Sequence, residues 1–152
     1  MISINRPFLT PFRAAHADYI DMQEVDAQVV FATRDFKRNM KAFEKGGFSW
    51  TGIVGTRIIG CGGIVDLWPG VAYGWLICSG LAKTYKMFLY KTVKNAILAA
   101  DSRGIHRIEA AIYCKNDTAI SFAIHLGFES EGLMRKYDSN GKDFLRYARI
   151  KC

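Results

Sequence analysis

The chain has 152 residues, half of them hydrophobic, which fits one domain over residues 1–152 that is long enough to bury a core of its own. It contains no uncharged apolar run of about 18 residues and no apolar leader, so we expect neither a membrane span nor a signal peptide, and the pattern indicates a cytoplasmic protein without a membrane partner. The net charge of +7 favours anionic partners, such as a nucleic acid or the phosphates of a nucleotide, unless it only forms a solvated basic face.

The first third of the chain reads as a short strand followed by two helices. Apolar residues recur at helical spacings over residues 14–25 and again over residues 27–43. The pair Gly46-Gly47 then gives a helix stop signal. The sequence therefore predicts a β-α-α opening.

The middle third changes to strands and then to a long helix. Strands are predicted over residues 49–54, 58–67 and 71–78, with short turns between them that fit an antiparallel meander. A helix is predicted over residues 85–100, because its apolar residues form one stripe and its lysines lie on the other side.

The last third alternates strand, helix and hairpin. A strand is predicted over residues 107–114, and a short helix capped by Asn116 or Asp117 runs through His125. Two final strands, residues 131–137 and 144–150, flank the hairpin signal Asn140-Gly141. The full order is β-α-α-β-β-β-α-β-α-β-β. It predicts an α/β (α+β) fold, with a mixed central sheet, helices on both faces, and parallel strands before and after the long helix.

No metal site is expected from the cysteines and histidines. The four cysteines form no C-x-x-C pair, and three of them lie in apolar strand-like runs, as reduced core thiols do. None of the three histidines has the spacing of a metal ligand pair. Zinc and disulfides are therefore not expected.

A set of motifs between Arg107 and Arg149 resembles one enzyme superfamily. In chain order these motifs are the strand Arg107-Ile108-Glu109-Ala110, Asn116, Leu126-Gly127-Phe128, Glu131-Gly132 and Arg135. Their order and spacing are similar to the C-terminal half of the GNAT superfamily of N-acetyltransferases. The closest look is to the branch that acetylates protein N-termini and to phage-encoded GNAT-like proteins.

The resemblance implies a slot for acetyl-CoA where the two parallel strands separate. In the family the pantetheine arm bonds to an exposed strand edge, which corresponds here to residues 75–79. Backbone groups of Ile77, Cys78 and Ser79 would then polarise the thioester carbonyl. Asn116 is either a pantetheine ligand in the family manner or only the cap of the helix that follows it.

The pyrophosphate loop of the family is missing. Members usually carry a glycine-rich loop after the slot strand, so that bare backbone amides hold the pyrophosphate. Residues 79–86 contain a single glycine and instead offer Lys83, Thr84 and Lys86. Either these three residues and the helix start hold the phosphates, or the site has decayed. A helix start with two lysines and no acid favours a nearby anion.

The tyrosine that often reprotonates the CoA thiolate is missing as well. The resemblance places it at residue 123, which is an alanine in this chain. Ser121, Tyr137 or a water molecule could take its place. A thiolate leaving group needs little help near neutral pH.

Glu109 is the best candidate for a general base. It lies in an otherwise apolar strand beside the slot, where burial would raise its pKa. The alternative is a structural ion pair with one of three arginines, which are Arg107, Arg135 and Arg149. Asp66 and Asp143 each adjoin a turn and are weaker candidates that fit turn caps equally well.

The resemblance predicts an N-acyltransferase in which a primary amine attacks acetyl-CoA directly within a ternary complex. The acceptor would be a protein N-terminus, a lysine or a small amine, and Trp68 is the aromatic residue that we place near it. The alternative function is a GNAT-like domain with weakened or lost catalysis, acting as a basic nucleic-acid-binding or assembly protein. A homodimer is compatible with both readings.

Overall fold

The computed structural model describes residues 6–21, 36–46 and 48–151, and the strands within them form one seven-stranded sheet. The strands are β1 (Phe8–Pro11), β2 (Ser49–Val54), β3 (Arg57–Trp68), β4 (Val71–Cys78), β5 (Arg107–Tyr113), β6 (Glu129–Met134) and β7 (Phe144–Ile150). Their order across the sheet is β1-β2-β3-β4-β5-β7-β6. Only β4 and β5 are parallel neighbours. The predicted mixed α/β sheet is confirmed.

The helices of the described residues connect these strands. The α-helices are α1 (Phe36–Lys45), α2 (Lys86–Ser102) and α3 (Asp117–His125), and 3-10 helices span Ala14–Asp18 and Gly80–Ala82. Residues 27–35 of the second predicted helix lie outside the described residues. The described remainder continues as α1 and ends beside Gly46, as predicted.

The helix predicted over residues 14–25 is wrong where the structure describes it. Only Ala14–Asp18 is helical there, as a short 3-10 segment, and residues 22–25 lie outside the described part of the chain. The chain leaves the helix because Ile20 is buried in the core, while the C=O of Asp21 accepts a hydrogen bond of 3.2 Å from the N–H of Gly80. A tertiary contact therefore ends the helix earlier than the spacing of the apolar residues predicts.

Helices cover both faces of the sheet. On one face, α2 and α3 pack on a core of Ile64, Ala72, Ile97, Ala100, Ile105, Ile108, Ala123, Phe128 and Tyr147. On the other face, α1 and the first 3-10 helix pack on a core of Phe12, Ala17, Ile20, Met40, Cys61 and Ile77. We call the second face the α1 face. Successive side chains of a strand point to opposite faces, so Tyr73 and Trp75 share the α1 face with Ile77.

The parallel strands β4 and β5 separate after a short ladder. The ladder joins Val71 to Arg107, Ala72 to Ile108 and Tyr73 to Glu109, and its register ends there. β4 continues to Cys78 and β5 continues to Tyr113. The gap between residues 74–78 and residues 110–113 is a slot in the middle of the sheet, at the place that the resemblance implies.

The C-terminal hairpin places β7 between β5 and β6. β7 has its predicted bounds, whereas β6 begins and ends earlier than predicted. The strand stops at Met134 because Lys136 has a φ of 50° and the N–H groups of Tyr137 and Asp138 both bond to the C=O of Lys142. Gly141 has a φ of 75°, as a tight turn at Asn-Gly requires. Residues 135–143 therefore form a fixed turn, which we call the hairpin turn.

Three cysteines lie in the described residues, namely Cys61, Cys78 and Cys114, and none of these three is part of a disulfide. Within the same residues, no group of three or more histidine, cysteine or acidic side chains is arranged as a metal site. No described helix is both long and apolar enough to cross a bilayer.

Candidate active site

The backbone of β4 is directed alternately toward β3 and toward the slot. The N–H of Ser79 donates to the C=O of Ile59 in β3 at 2.9 Å. Because hydrogen bonds alternate along an antiparallel strand, the backbone of Ile77 is also turned toward β3, and the backbones of Leu76 and Cys78 are turned toward the slot. Of the predicted trio Ile77, Cys78 and Ser79, only Cys78 is therefore directed to the slot. Leu76 joins it there.

Ser79 has a structural role at the end of β4. Its side chain is buried, with 2% exposure, and its hydroxyl donates to the C=O of Ile59 at 3.0 Å. The same oxygen accepts a 3.2 Å hydrogen bond from the N–H of Leu81 and so caps the second 3-10 helix. These bonds fix the direction in which the chain leaves the slot and approaches α2.

Tyr73 places a phenol at the point where the slot opens. The phenol oxygen accepts a hydrogen bond from the backbone N–H of Ala111, which lies in β5 beyond the last ladder residue, Glu109. The pKa of Tyr73 is raised to about 12, first by burial and then by nearby Tyr137, while Arg146 acts in the opposite direction. The phenol is therefore protonated at neutral pH and can donate its proton in a hydrogen bond.

Glu109 belongs to a network of ion pairs on the α1 face. Its Oε2 lies 3.0 Å from Nη2 of Arg107, and its Oε1 lies 3.4 Å from Nη1 of Arg146. Arg107 also bonds to Glu131 through two hydrogen bonds of 2.9 and 2.6 Å, which hold the pKa of Glu131 below its usual range. The geometry agrees with the ion-pair alternative for Glu109, with Arg107 and Arg146 as the partners.

An aromatic cluster lies where the hairpin turn meets the end of β5. The ring of Phe144 is 5.0 Å from the ring of Tyr137 and 5.8 Å from that of Tyr113. Phe144 is buried, whereas Tyr137 is 46% exposed. Tyr137, one of the predicted acids, is thus held at the surface of the α1 face, within electrostatic reach of the Tyr73 phenol.

The start of α2 has the features expected of an anion site. Lys83, Thr84 and Lys86 are all exposed, and α2 begins at Lys86. The capping position, Tyr85, makes no side-chain hydrogen bond to the helix, and the first turn contains no acid. The positive end of the helix dipole and two lysines therefore meet at one exposed place beside the end of β4.

Comparison with known proteins identifies the fold of the chain. No protein-family model matches the sequence, and no curated protein matches it. Among solved structures, the acetyltransferase of the GNAT family from Bacillus anthracis is similar to 98% of this chain over 97% of its own, with a TM-score of 0.67 and 15% identity. The chain has the GNAT fold.

Two further structures with the GNAT fold are similar over nearly their whole length. The Bacillus subtilis acetyltransferase in complex with CoA has a TM-score of 0.67 and 17% identity, with 98% of this chain and 100% of that chain covered. The ribosomal-protein-alanine N-acetyltransferase from Brucella melitensis has a TM-score of 0.68 and 15% identity, with 95% and 99% covered. Because these sequence identities are low, the structural similarity establishes the fold of this chain and no more.

The helix that follows β5 carries three of the predicted positions. Asn116 caps α3, since its Oδ1 accepts a 3.1 Å hydrogen bond from the N–H of Ala119. Ala123, where the GNAT resemblance places the acid, is buried in the core under α3. Ser121 is exposed on α3, and its C=O is 2.8 Å from Nδ1 of His125. The helix cap predicted for Asn116 is present. The residue at the position of the family's acid, Ala123, is a core residue and cannot donate a proton.

Trp68, placed near the acceptor by the sequence, lies at the wrong end of the sheet. It pairs with Val71 at the β3–β4 turn, whereas the slot opens only after Tyr73. From Val71 to Leu76 is five residues, or about 16 Å along a strand. β4 runs from this turn toward the slot, so the turn lies at the opposite end of the strand.

Asp66 and Asp143 also lie in structural contacts. Asp66 is paired with Arg103, with 3.4 Å between Oδ1 and Nη1. Asp143 accepts a 2.9 Å hydrogen bond from the N–H of Lys136 across the hairpin turn. Asp143 therefore stabilises the turn, as the turn-cap alternative predicts. Asp66 instead forms an ion pair with a residue at the end of α2.

Proposed function

We propose that this chain is an acetyl-CoA-dependent N-acyltransferase that transfers the acyl group to a primary amine by direct attack in a ternary complex. The observation that carries the proposal is the slot, where the β4–β5 ladder ends at Tyr73 and Glu109 although both strands continue. A strand edge of this kind offers main-chain hydrogen bonds to an extended ligand such as a pantetheine arm. One GNAT-fold relative, from Bacillus subtilis, was solved with CoA.

The donor side of the site would be held by the end of β4 and the start of α2. Acetyl-CoA supplies an acyl group activated as a thioester. The N–H of Leu76, with that of Cys78 further along the same edge, would polarise the thioester carbonyl. Lys83, Thr84 and Lys86 would bind the phosphates at the helix start, in place of a glycine loop. Asn116 follows the C-terminal end of β5, and we assign its side chain no direct contact with acetyl-CoA.

The proton transfers would involve Tyr73 and water. The attacking amine forms the new C–N bond, the C–S bond breaks, and the sulfur leaves as a thiolate. Tyr73 is protonated at neutral pH and lies at the opening of the slot, so it would donate a hydrogen bond to that sulfur. Tyr73 would thus be the acid for the CoA thiolate, the role for which the sequence suggested Ser121 or Tyr137. Water would accept the amine proton, since both oxygens of Glu109 already face arginines.

The acceptor would enter from the α1 face beside the aromatic cluster. A protein N-terminus is our first candidate, because a GNAT-fold relative from Brucella melitensis is described as a ribosomal-protein-alanine N-acetyltransferase. Lysine side chains and small amines are the other two classes.

A thiol-release assay tests the activity. The protein is mixed with acetyl-CoA and, in separate wells, with short peptides that have free N-termini, with lysine blocked at its α-amine, with spermidine and with an aminoglycoside. We expect release of CoA that depends on one of these amines, with the acetylated product visible by mass spectrometry. Release at the rate of buffer alone in all wells would contradict the proposal.

A further inference from the structure

Two arginines share the carboxylates of the α1 face unequally. Arg107 lies 2.6 and 2.9 Å from the oxygens of Glu131 and 3.0 and 3.1 Å from Oε2 of Glu109. Arg146 makes one longer contact, of 3.4 Å from Nη1 to Oε1 of Glu109. No other hydrogen bond or ion pair joins Arg146 to a residue that the structure describes. Its Nε and Nη2 groups are therefore available to a further acceptor.

Arg146 lies beside the slot and is accessible to solvent. In the β5–β7 ladder it pairs with Ala111, whose N–H bonds to the Tyr73 phenol at the opening of the slot. Alternate residues of a strand share a face, so Arg146 lies on the same face of β7 as Phe144 of the aromatic cluster. Its side chain is 25% exposed. A ligand that approaches the slot from the α1 face would therefore pass this guanidinium.

A second cation borders the aromatic cluster. The Nζ of Lys142 lies 5.4 Å above the ring of Tyr113, at the end of β5. Among the ion pairs of the described residues, none includes Lys142. The nearby acids Asp138 and Asp143 accept hydrogen bonds from backbone N–H groups of the hairpin turn. Lys142 therefore adds to the attraction that Arg146 exerts on an anion.

We propose that Arg146 binds a carboxylate of the acceptor, so that the preferred acceptors carry a carboxylate close to the amine that is acylated. The inference rests on the proposed acyltransferase function and names its substrate class. A guanidinium can bind a carboxylate through two parallel N–H···O bonds, a geometry that a neutral amide does not match. Because β5 alone separates β7 from the slot, the two groups of the acceptor must be close together.

Two sources can supply this carboxylate. One is the α-carboxylate of a free amino acid, and the other is an acidic side chain near the N-terminus of a peptide. Two matched pairs of ligands separate them. Serine and serine amide differ only in the α-carboxylate. The tripeptide amides seryl-glutamyl-alanine and seryl-glutaminyl-alanine differ only in the charge of the middle side chain.

The experiment compares Arg146→Gln with the matched variant Arg135→Gln, which removes the same charge from an exposed position of the hairpin turn. The four ligands are titrated by calorimetry into each protein with saturating CoA. In at least one pair, we expect the wild type to bind the carboxylate form at least about tenfold more tightly than its neutral twin. Arg146→Gln should lose this preference, whereas Arg135→Gln should keep it within about twofold.

The remaining outcomes are equally defined. Equal affinity of the wild type for both members of both pairs, or no binding of any of the four ligands, overturns the proposal. An equal loss of preference in Arg146→Gln and Arg135→Gln would reveal an effect of net charge alone and would overturn it as well. If CoA does not bind, the titrations are made without it, and an Arg146-dependent preference then supports the carboxylate site while the acyltransferase function fails.

A second variant covers a failure of Arg146→Gln to fold. Arg146→Lys keeps the charge beside Glu109 but cannot form two parallel bonds to a carboxylate. We expect it to reduce the preference for the carboxylate form. A preference equal to that of the wild type would overturn the assignment to the guanidinium.

Discussion

The phenol oxygen of Tyr73 in β4 accepts a hydrogen bond from the backbone N–H of Ala111 in β5, two residues beyond the end of the β4–β5 ladder. The side chain of one strand thus satisfies a main-chain donor that the other strand no longer reaches. This contact places a proton donor at the opening of the slot while the strands stay apart. Tyr73 is therefore both the last β4 residue of the ladder and the candidate acid.

Replacement of Tyr73 by Phe is expected to lower turnover. The change removes the phenol proton and leaves the Ala111 N–H without its acceptor, so we expect kcat to fall by about 10- to 100-fold. We also expect a loss of about 1–3 kcal/mol in the free energy of unfolding. Steady-state kinetics and thermal melting measure the two effects. Tyr90→Phe is the control, because Tyr90 lies on α2, over the other face of the sheet, and packs on Phe122 of α3. An unchanged kcat in Tyr73→Phe would exclude the phenol from the chemistry.

Replacement of Lys83 and Lys86 together by Ala is expected to weaken CoA binding at least about tenfold, because charge-assisted contacts to phosphate contribute about 1.5–3 kcal/mol each. Folding should be nearly unaffected, since both side chains are exposed. Calorimetry with CoA, dephospho-CoA and pantetheine separates the phosphate contribution from the rest.

The double variant Lys91→Ala and Lys94→Ala removes the same charge from later turns of α2 and should bind CoA as the wild type does. If both double variants keep an equal preference for CoA over pantetheine, the lysines at the helix start do not bind the phosphates. The amide groups of the helix start would then remain as the phosphate ligands.

Glu109→Gln is expected to affect stability more than catalysis. The carboxylate lies between Arg107 and Arg146 and is mostly buried, so loss of its charge leaves two guanidinium groups less well compensated. We expect the free energy of unfolding to fall by about 1–3 kcal/mol, with kcat changed less than about threefold. Denaturant unfolding and a pH profile of kcat/KM are the measurements. Unchanged stability together with a lost or shifted pH profile would identify Glu109 as the general base instead.

The pair Asp101 and Arg149 gives a prediction about pH. Two hydrogen bonds of 2.7 and 2.9 Å join the end of α2 to β7 and hold the pKa of Asp101 below its ordinary value. The contribution of this pair is therefore present above the unfolded pKa, about 4, and is lost as the pH falls through the folded pKa. Asp101→Asn should cost about 1–3 kcal/mol at pH 7 and much less near pH 2. An equal cost at both pH values would contradict this.

The strand boundaries were predictable because residues close by in the sequence determine them. β2, β4 and β7 have the bounds that alternation and turn residues predict, and Gly141 closes the turn that Asn140-Gly141 indicated. The parallel pairing of β4 and β5 also follows from chain order, since a helix connects them.

The site was less predictable because it depends on register and on contacts between distant residues. The choice between Ile77 and Leu76 as a slot residue requires the phase of the β3–β4 ladder, which the bond from Ser79 to Ile59 sets. For Tyr73, the sequence predicts only the face of the sheet, because alternation places its side chain on the same face as Ile77. Its contact with Ala111 follows from the separation of the strands, which the sequence does not show.

Calorimetric titration with acetyl-CoA at low salt tests the central claim most directly, because the proposed acyl transfer begins with occupation of the slot. We predict saturable binding, with an increase in melting temperature that grows with ligand concentration. Absence of both heat and a thermal shift at millimolar acetyl-CoA would contradict the account and leave a GNAT-fold domain without its cosubstrate.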